Sequence, residues 1–206
     1  MIIKLLNKIQ YFAQKIFNFF YEKKLQRRIQ NDKFTILCSN CMGGIIYHRL
    51  NKQFLSPTIN LWMHQKDFLE FVKNLEGYIK KDLKFVKTEY DYPVAVLGDI
   101  KIYFNHSKTE AEARANWDRR KKRIQYDNLY IIMYDRDGIT KDDILSLNDV
   151  VCKNKIVFSD KKYNDIDYVM TIKPTNRPLG NQYLDKDWLG IRSFEKRFDF
   201  VSWLNV

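Results

Sequence analysis

The sequence predicts an α/β protein, a Rossmann-like layered sandwich with a largely parallel sheet, preceded by an amphipathic helix. Three observations carry that expectation. Short apolar runs rich in β-branched and aromatic residues alternate with stretches of three- and four-residue periodicity, the pattern of strand-helix-strand units. Turn signals punctuate them, as in "SNCMGG" and "YDRDG". The first 32 residues keep one helical period throughout, and the pattern changes after Asp32. The sequence is therefore divided into an arm (1–32) and a single α/β domain (33–206).

In the arm, Ile2, Leu5, Leu6, Ile9, Phe12, Ala13, Ile16, Phe19 and Phe20 form a helical stripe, with Lys4, Lys8, Lys15 and Asn18 largely off it. Eight bases and two acids lie in residues 1–33, so +6 of the formal net charge of +11 is concentrated there. The arm does not read as a signal peptide: Lys8, Gln10, Gln14 and Lys15 interrupt any apolar core, and no small-residue cleavage site follows. A basic amphipathic helix of this kind lies on an anionic membrane, binds a partner protein, or packs on its own domain, and the sequence leaves all three open.

In the body, "KFTILCS" reads as a buried strand and "GGIIYHRL" as a helix. "SPTINLWM" is expected to be a strand entered at Pro57, and "QKDFLEFVKNLEGYIKKD" one helix with Phe68, Phe71, Val72, Leu75 and Ile79 inward. Residues 84–105 supply strands that form an antiparallel excursion, turning at Gly98-Asp99. A helix follows with Thr109 and Glu112 in capping-box spacing. "NLYIIMYD", "KIVFSD" and "DYVMTIK" are strands, and "TKDDILSLNDVVCKN" between the first two is a helix capped by Thr140 or Asp142. The chain ends in an amphipathic helix that offers Trp188, Phe194, Phe198, Val201 and Trp203 for packing.

Composition excludes several classes. Three cysteines do not build a disulfide framework, and the odd, low count suits a reducing cytoplasm. No run of about 18 apolar residues is present. "RRKKR" is short and stands without a recognisable nucleic-acid motif, so a nucleic-acid partner is not expected. The basic balance points instead to phosphorylated ligands or a lipid surface.

Several constellations carry candidate chemistry. Cys38 and Cys41 have the C-x-x-C spacing of redox pairs, and zinc would need Cys152 with His48 or His64 as further ligands, although no second closely spaced pair exists. Gly43 and Gly44, in a strand-to-helix turn with Ser39 and Asn40, can direct backbone N–H groups at a phosphate; the alternative is turn geometry alone. Ser56, Thr58 and Asn60 crowd polar groups at a second turn that could share the same crevice. His106 closes a strand, where an imidazole can act as a general base. Arg119, Arg120 and Arg123, with Trp117, lie on the following helix; paired arginines clamp diphosphates, and the plain alternative is a solvated helix end. Asp135 and Asp137 form a D-x-D after a strand, a spacing that can hold a divalent metal, the one cofactor chemistry the chain offers.

In order along the chain, "FTILCSNCMGGIIYHRL", "SPTINLW", "DFLEFVKNL", "YPVAVLGDIKIYFNH" and "EARANWDRRKKRI…DNLYIIMYDRD" resemble the family called domain of unknown function 1919. Its bacterial members are often labelled exopolysaccharide biosynthesis proteins. The resemblance covers residues 33–170 and is weaker in the tail. The family signature is similar to serine, two asparagines, cysteine, any residue and two glycines. Here Asn40, Cys41, Gly43 and Gly44 match, while Cys38 stands for the serine and Ser39 for the first asparagine. The C-x-x-C spacing thus reads as a feature of this chain alone. Ser56, Pro57, Thr58 and Asn60 match a second motif, and His106, Trp117, Arg120 and Arg123 a third.

The resemblance implies an α/β domain linked to exopolysaccharide or capsule synthesis. The expected activity is group transfer on a nucleotide-sugar or phosphate-linked glycan. His106 would be the base, and Cys41 would line the site or act as nucleophile. The arm, residues 1–31, would bring a cytoplasmic domain to the inner membrane face or to a partner protein. The alternative is a non-catalytic glycan- or partner-binding protein of the same pathway.

Overall fold

The computed structural model describes residues 2–172 and 179–206. In chain order the elements are α1 (Ile2–Arg28), β1 (Thr35–Cys38), α2 (Met42–Arg49), α3 (Gln65–Lys73), α4 (Leu75–Ile79), β2 (Lys84–Val86), β3 (Val94–Leu97) and β4 (Ile100–Tyr103), then α5 (Glu110–Lys121), β5 (Leu129–Tyr134), α6 (Lys141–Leu145), β6 (Asn154–Ser159), β7 (Val169–Thr171) and α7 (Phe200–Leu204). Four strands pair in the order β1-β5-β6-β7, all parallel, and β2-β3-β4 form a separate antiparallel sheet. The expected Rossmann-like α/β sandwich and its antiparallel excursion are both present.

The period of two along each strand sorts the core into two layers. Ile36 and Cys38 of β1, Tyr130, Ile132 and Tyr134 of β5 and Phe158 of β6 face α2, α7 and the C-terminal segment. Leu37, Leu129, Ile131, Met133 and Val157 face α3, α5, α6 and the antiparallel sheet. Burial on both sides explains why "LYIIMY" is apolar without a gap, and all six of its residues are buried.

Two expectations are corrected. Residues 55–61 form turns rather than a strand, and Trp62 makes only an isolated bridge to Tyr103. The polar residues there serve the free edge of β1 instead. The Thr58 hydroxyl accepts the Cys38 N–H at 3.0 Å and contacts Ser56 Oγ at 3.1 Å, and Thr35 Oγ1 donates to Leu55 O. Asn60, at φ +62°, reverses the chain in a conformation that asparagine tolerates. Second, the helix expected over "QKDFLEFVKNLEGYIKKD" breaks at Asn74, whose ψ of 48° leaves the helical region. Its side chain folds onto Gly77, where any Cβ would meet Asn74 Oδ1 at 2.4 Å.

The arm helix contacts the body in an unexpected sense. Its inward side is polar: Gln14 Nε2 donates to Trp188 O at 2.7 Å and Asn18 Nδ2 to Leu189 O at 2.8 Å. Phe12 and Phe20 of the apolar stripe face away, 65% and 66% exposed, with Leu6, Ile9, Ile16 and Phe19 exposed beside them. Among the described side chains only those of the second half join the core, through Leu25 and the partly buried Tyr21. Buried Arg49, at the end of α2, ties this half down: its Nη1 lies 2.8 Å from Glu22 and its Nε 2.6 Å from the fully buried Glu195 side chain. Trp188, expected to pack, is exposed.

Candidate active site

The carboxyl ends of β1 and β5 lead into two neighbouring turns, Ser39-Asn40-Cys41 and Asp135-Arg136-Asp137. Gln65 welds the two strand ends together. Its Nε2 donates to Ser39 Oγ at 2.9 Å, and its Oε1 accepts Tyr134 N–H at 3.1 Å. Ser39 is wholly buried, so it holds the scaffold. Asn40 Oδ1 accepts the Met42 N–H at 2.9 Å, which shapes the entry to α2.

Cys41 is the residue immediately before α2 and is partly exposed. Its Sγ lies 3.2 Å from His106 Nε2 on the turn after β4. The two groups named from the sequence thus meet across 65 residues of chain. Burial raises the Cys41 thiol above its ordinary value, and the nearby Arg192 charge acts the other way. A thiol that keeps its proton beside an imidazole nitrogen is set for proton removal as sulfur attacks. Cys38 differs: it is fully buried, its Sγ donates to Asn40 Oδ1 at 3.2 Å, and burial pushes its pKa up to about 12. Both cysteines are free and turned to different partners, Cys38 to Asn40 and Cys41 to His106.

Other candidates lie elsewhere. Gly43 and Gly44 are buried where α2 crosses β1 and the 55–60 turn. A Cβ on Gly43 would meet Cys38 Cβ at 3.3 Å, and one on Gly44 would meet Asn60 Oδ1 at 3.4 Å. They serve close packing there. Trp117 is in the core. Arg120 is buried, donates to Ile59 O at 2.7 Å and has its pKa lowered to about 10, first by desolvation and then by its arginine neighbours. Arg119 and Arg123 open with Arg120 onto a cavity of about 250 Å³ with His48, Lys52 and Phe54. His48 is seven residues along α2 from Cys41, a rise of about 10 Å, so this basic cavity sits at the other end of the helix. The arginines of α5 and the glycine turn, both expected to bind phosphate, thus lie at opposite ends of α2.

Asp135 and Asp137 also diverge. Asp135 Oδ2 accepts from Ser159 Oγ at 2.7 Å and Tyr163 Oη at 2.9 Å, while Asp137 Oδ2 faces the Gln65 N–H and His64. Among the described residues no group of three His, Cys, Asp or Glu side chains is placed to hold a metal ion.

Arg136 and Arg192 were not read from the sequence. Arg136 sits two residues past the end of β5, between the two acids of the D-x-D, where the aspartates drew the reading. Arg192 lies in the tail, and nothing in its local pattern marks it.

The family described as Domain of unknown function (DUF1919) matches residues 12–205. The chain belongs to this family. The match takes in the weaker tail and most of the arm helix, so Gln14 and Asn18 of the polar seam between α1 and the C-terminal segment lie within the family's extent. A Haemophilus influenzae protein named "Uncharacterized protein" is 36% identical over 201 residues, covering 96% of this chain and 97% of its own.

Proposed function

We propose that this DUF1919 protein is a group transferase of cell-surface polysaccharide synthesis that works through a covalent intermediate on Cys41. The observation that carries the reading is the 3.2 Å contact between Cys41 Sγ and His106 Nε2 at a helix start on the carboxyl edge of a parallel sheet, the edge at which ligands of open α/β sheets bind. Sulfur attacks the transferred carbon while His106 accepts the thiol proton. The bond to the leaving group breaks with its electron pair, and the imidazolium returns the proton to that group. The acceptor hydroxyl then gives its proton to His106 and attacks the thio-linked carbon, and Cys41 leaves as thiolate and is reprotonated. An acyl carbon suits this sequence best, because a thioester both forms and releases readily. The polysaccharide setting comes from the family resemblance.

The outward face of α1 supports a place at an anionic bilayer. Phe12, Ile16, Phe19 and Phe20 are exposed beside Lys8, Lys15, Lys23 and Lys24, the aromatic-plus-lysine composition of interfacial helices. Among the described residues no helix is long and apolar enough to cross a membrane.

The test is surface polymer in a strain whose own copy carries Cys41→Ala or His106→Ala. Loss of polymer or of one substituent, with the protein still folded and present at normal level, is the expected result. Normal polymer from both variants sinks the catalytic reading and leaves the non-catalytic binding role.

A further inference from the structure

The turn that presents Cys41 is bordered by polar groups that the fold leaves unused. Asn40, 8% exposed, has its Oδ1 engaged, but its buried Nδ2 has no hydrogen-bond partner. The Nε atoms of Arg136 and Arg192 are likewise buried and without a hydrogen bond. Buried donors are almost always satisfied, and an unsatisfied one costs about 1–3 kcal/mol, so several at one place call for an acceptor from outside the chain.

Geometry brings two of the three together. Gly180, at φ +99°, is the floor between them: a Cβ there would begin 3.0 Å from Arg136 Nη1 and 3.5 Å from Asn40 Nδ2. Glycine keeps that space open, and any other residue would fill it. Arg136 Nη1 is braced on Leu179 O at 3.1 Å, and its Nε pairs with Asp137 Oδ2 at 3.4 Å as an ion pair without hydrogen-bond geometry, which fixes the guanidinium and leaves the Nε–H donor unfilled. Arg192 approaches from the tail. Its backbone N–H is held by Glu195 at 2.8 Å, and its charge is felt at the Cys41 thiol. The helix start adds positive potential at the same place.

We infer that the carboxyl edge beside Cys41 binds a phosphoryl group through Asn40 Nδ2 and Arg136, with the Arg192 charge close by. This deepens the proposed transfer reaction and rests on it only for Cys41 as the reacting atom. It gives the substrate a phosphate next to the transferred carbon. It also moves phosphate recognition away from Gly43, Gly44 and the arginines of α5. A guanidinium and an amide favour a planar, multidentate contact over a point charge.

The experiment alkylates the full chain with neutral iodoacetamide, with or without inorganic pyrophosphate at constant ionic strength, and follows the Cys41 peptide by mass spectrometry. Pyrophosphate is expected to slow alkylation of Cys41 saturably, by about tenfold, without slowing that of Cys152. Arg136→Gln, Arg192→Gln and Asn40→Asp, each compared with its own rate without pyrophosphate, are expected to lose most of that protection. Wild-type Cys41 alkylated equally fast with and without pyrophosphate overturns the site, as do folded variants protected as well as the wild type. If Arg136→Gln does not fold, Arg192→Gln and Asn40→Asp decide. His106→Ala separates the two claims: it alters the pH dependence of iodoacetamide alkylation if the Cys41–His106 pair is real, yet keeps pyrophosphate protection.

Discussion

A methyl group at Gly43 and one at Gly44 would meet different neighbours. At Gly43 the nearest atoms are Cys38 Cβ at 3.3 Å and Ile36 Cγ2 at 3.4 Å, both on β1, whose backbone is fixed on one side by β5. Overpacking against a strand outweighs the helix propensity gained over glycine, so Gly43→Ala is expected to destabilise by about 1 kcal/mol. At Gly44 the contacts begin at 3.4 Å, an ordinary separation, and Gly44→Ala is expected to be neutral or stabilising by about 0.5 kcal/mol. Urea denaturation of the two variants checks the contrast, and equal midpoints would refute it. The sequence marked the pair correctly as a place of close approach, but not what approaches. Glycine next to a strand end signals a missing side chain, and whether backbone or ligand fills the gap depends on residues 55–60. The Cys41–His106 pair was legible only as two separate candidates. Arg136 and Arg192 were invisible, since an arginine between two aspartates and one in an irregular tail carry no periodic signal.

The elements that could be read were those whose local chemistry and packing agree. Helix α6 has a full capping box: Thr140 Oγ1 accepts the Asp143 N–H at 3.1 Å, and Asp143 Oδ2 accepts the Thr140 N–H at 2.9 Å. The backbone N–H of Thr140, then its hydroxyl, hold the Asp143 carboxyl below its ordinary value. A carboxyl with a lowered folded-state pKa contributes stability above its unfolded value, and that contribution fades as pH falls through the folded value. Asp143→Asn is therefore expected to cost up to about 1 kcal/mol at pH 7, with the gap to wild type closing on acidification below about pH 4. Thermal melts of both proteins across that range measure it, and a gap constant with pH would count against the cap. Helix α5 follows the same signal with a small shift: Thr109 accepts the Glu112 N–H, but the Glu112 carboxylate reaches back to Lys108 N–H. The 55–61 segment misled because its leucines and β-branched residues, Leu55, Thr58, Ile59 and Leu61, are buried, as strand residues are. Their backbone, however, is taken up in turns, while their side chains protect the edge of β1.

Across the whole molecule, charge and exposed apolar surface coincide on α1. The helix has 27 residues and a length of about 40 Å. Its outer side alternates aromatics with bases, as in Lys15 over the Tyr11 ring at 4.7 Å and Lys23 over Phe19 at 5.8 Å. The full chain is expected to sediment with phosphatidylglycerol vesicles, less in high salt, and little with phosphatidylcholine. The double variant Phe12→Glu, Phe20→Glu removes exposed groups only, so it should stay folded and lose vesicle binding. Undiminished binding would show that α1 is not the lipid contact. The helical period of the arm was plain in the sequence, but its orientation was not. Amphipathic patterning is usually taken to place the apolar side inward, and here Gln10, Gln14 and Asn18 make the inward side.

That polar seam has a mechanical consequence. Among the described side chains, those of α1 before Asn18 reach the body through two amide hydrogen bonds, from Gln10 and Gln14 to the Trp188 carbonyl, each worth about 1 kcal/mol net. The remainder is riveted by Leu25 and by the buried Arg49, which holds Asn18 Oδ1, Glu22 and Glu195. The rod can therefore bend away ahead of Asn18 at an expense of a few kcal/mol, far less than unfolding its anchor. An arm that swings on a fixed hub can lie flat on a surface while the carboxyl edge keeps its own tilt toward whatever stands above that surface.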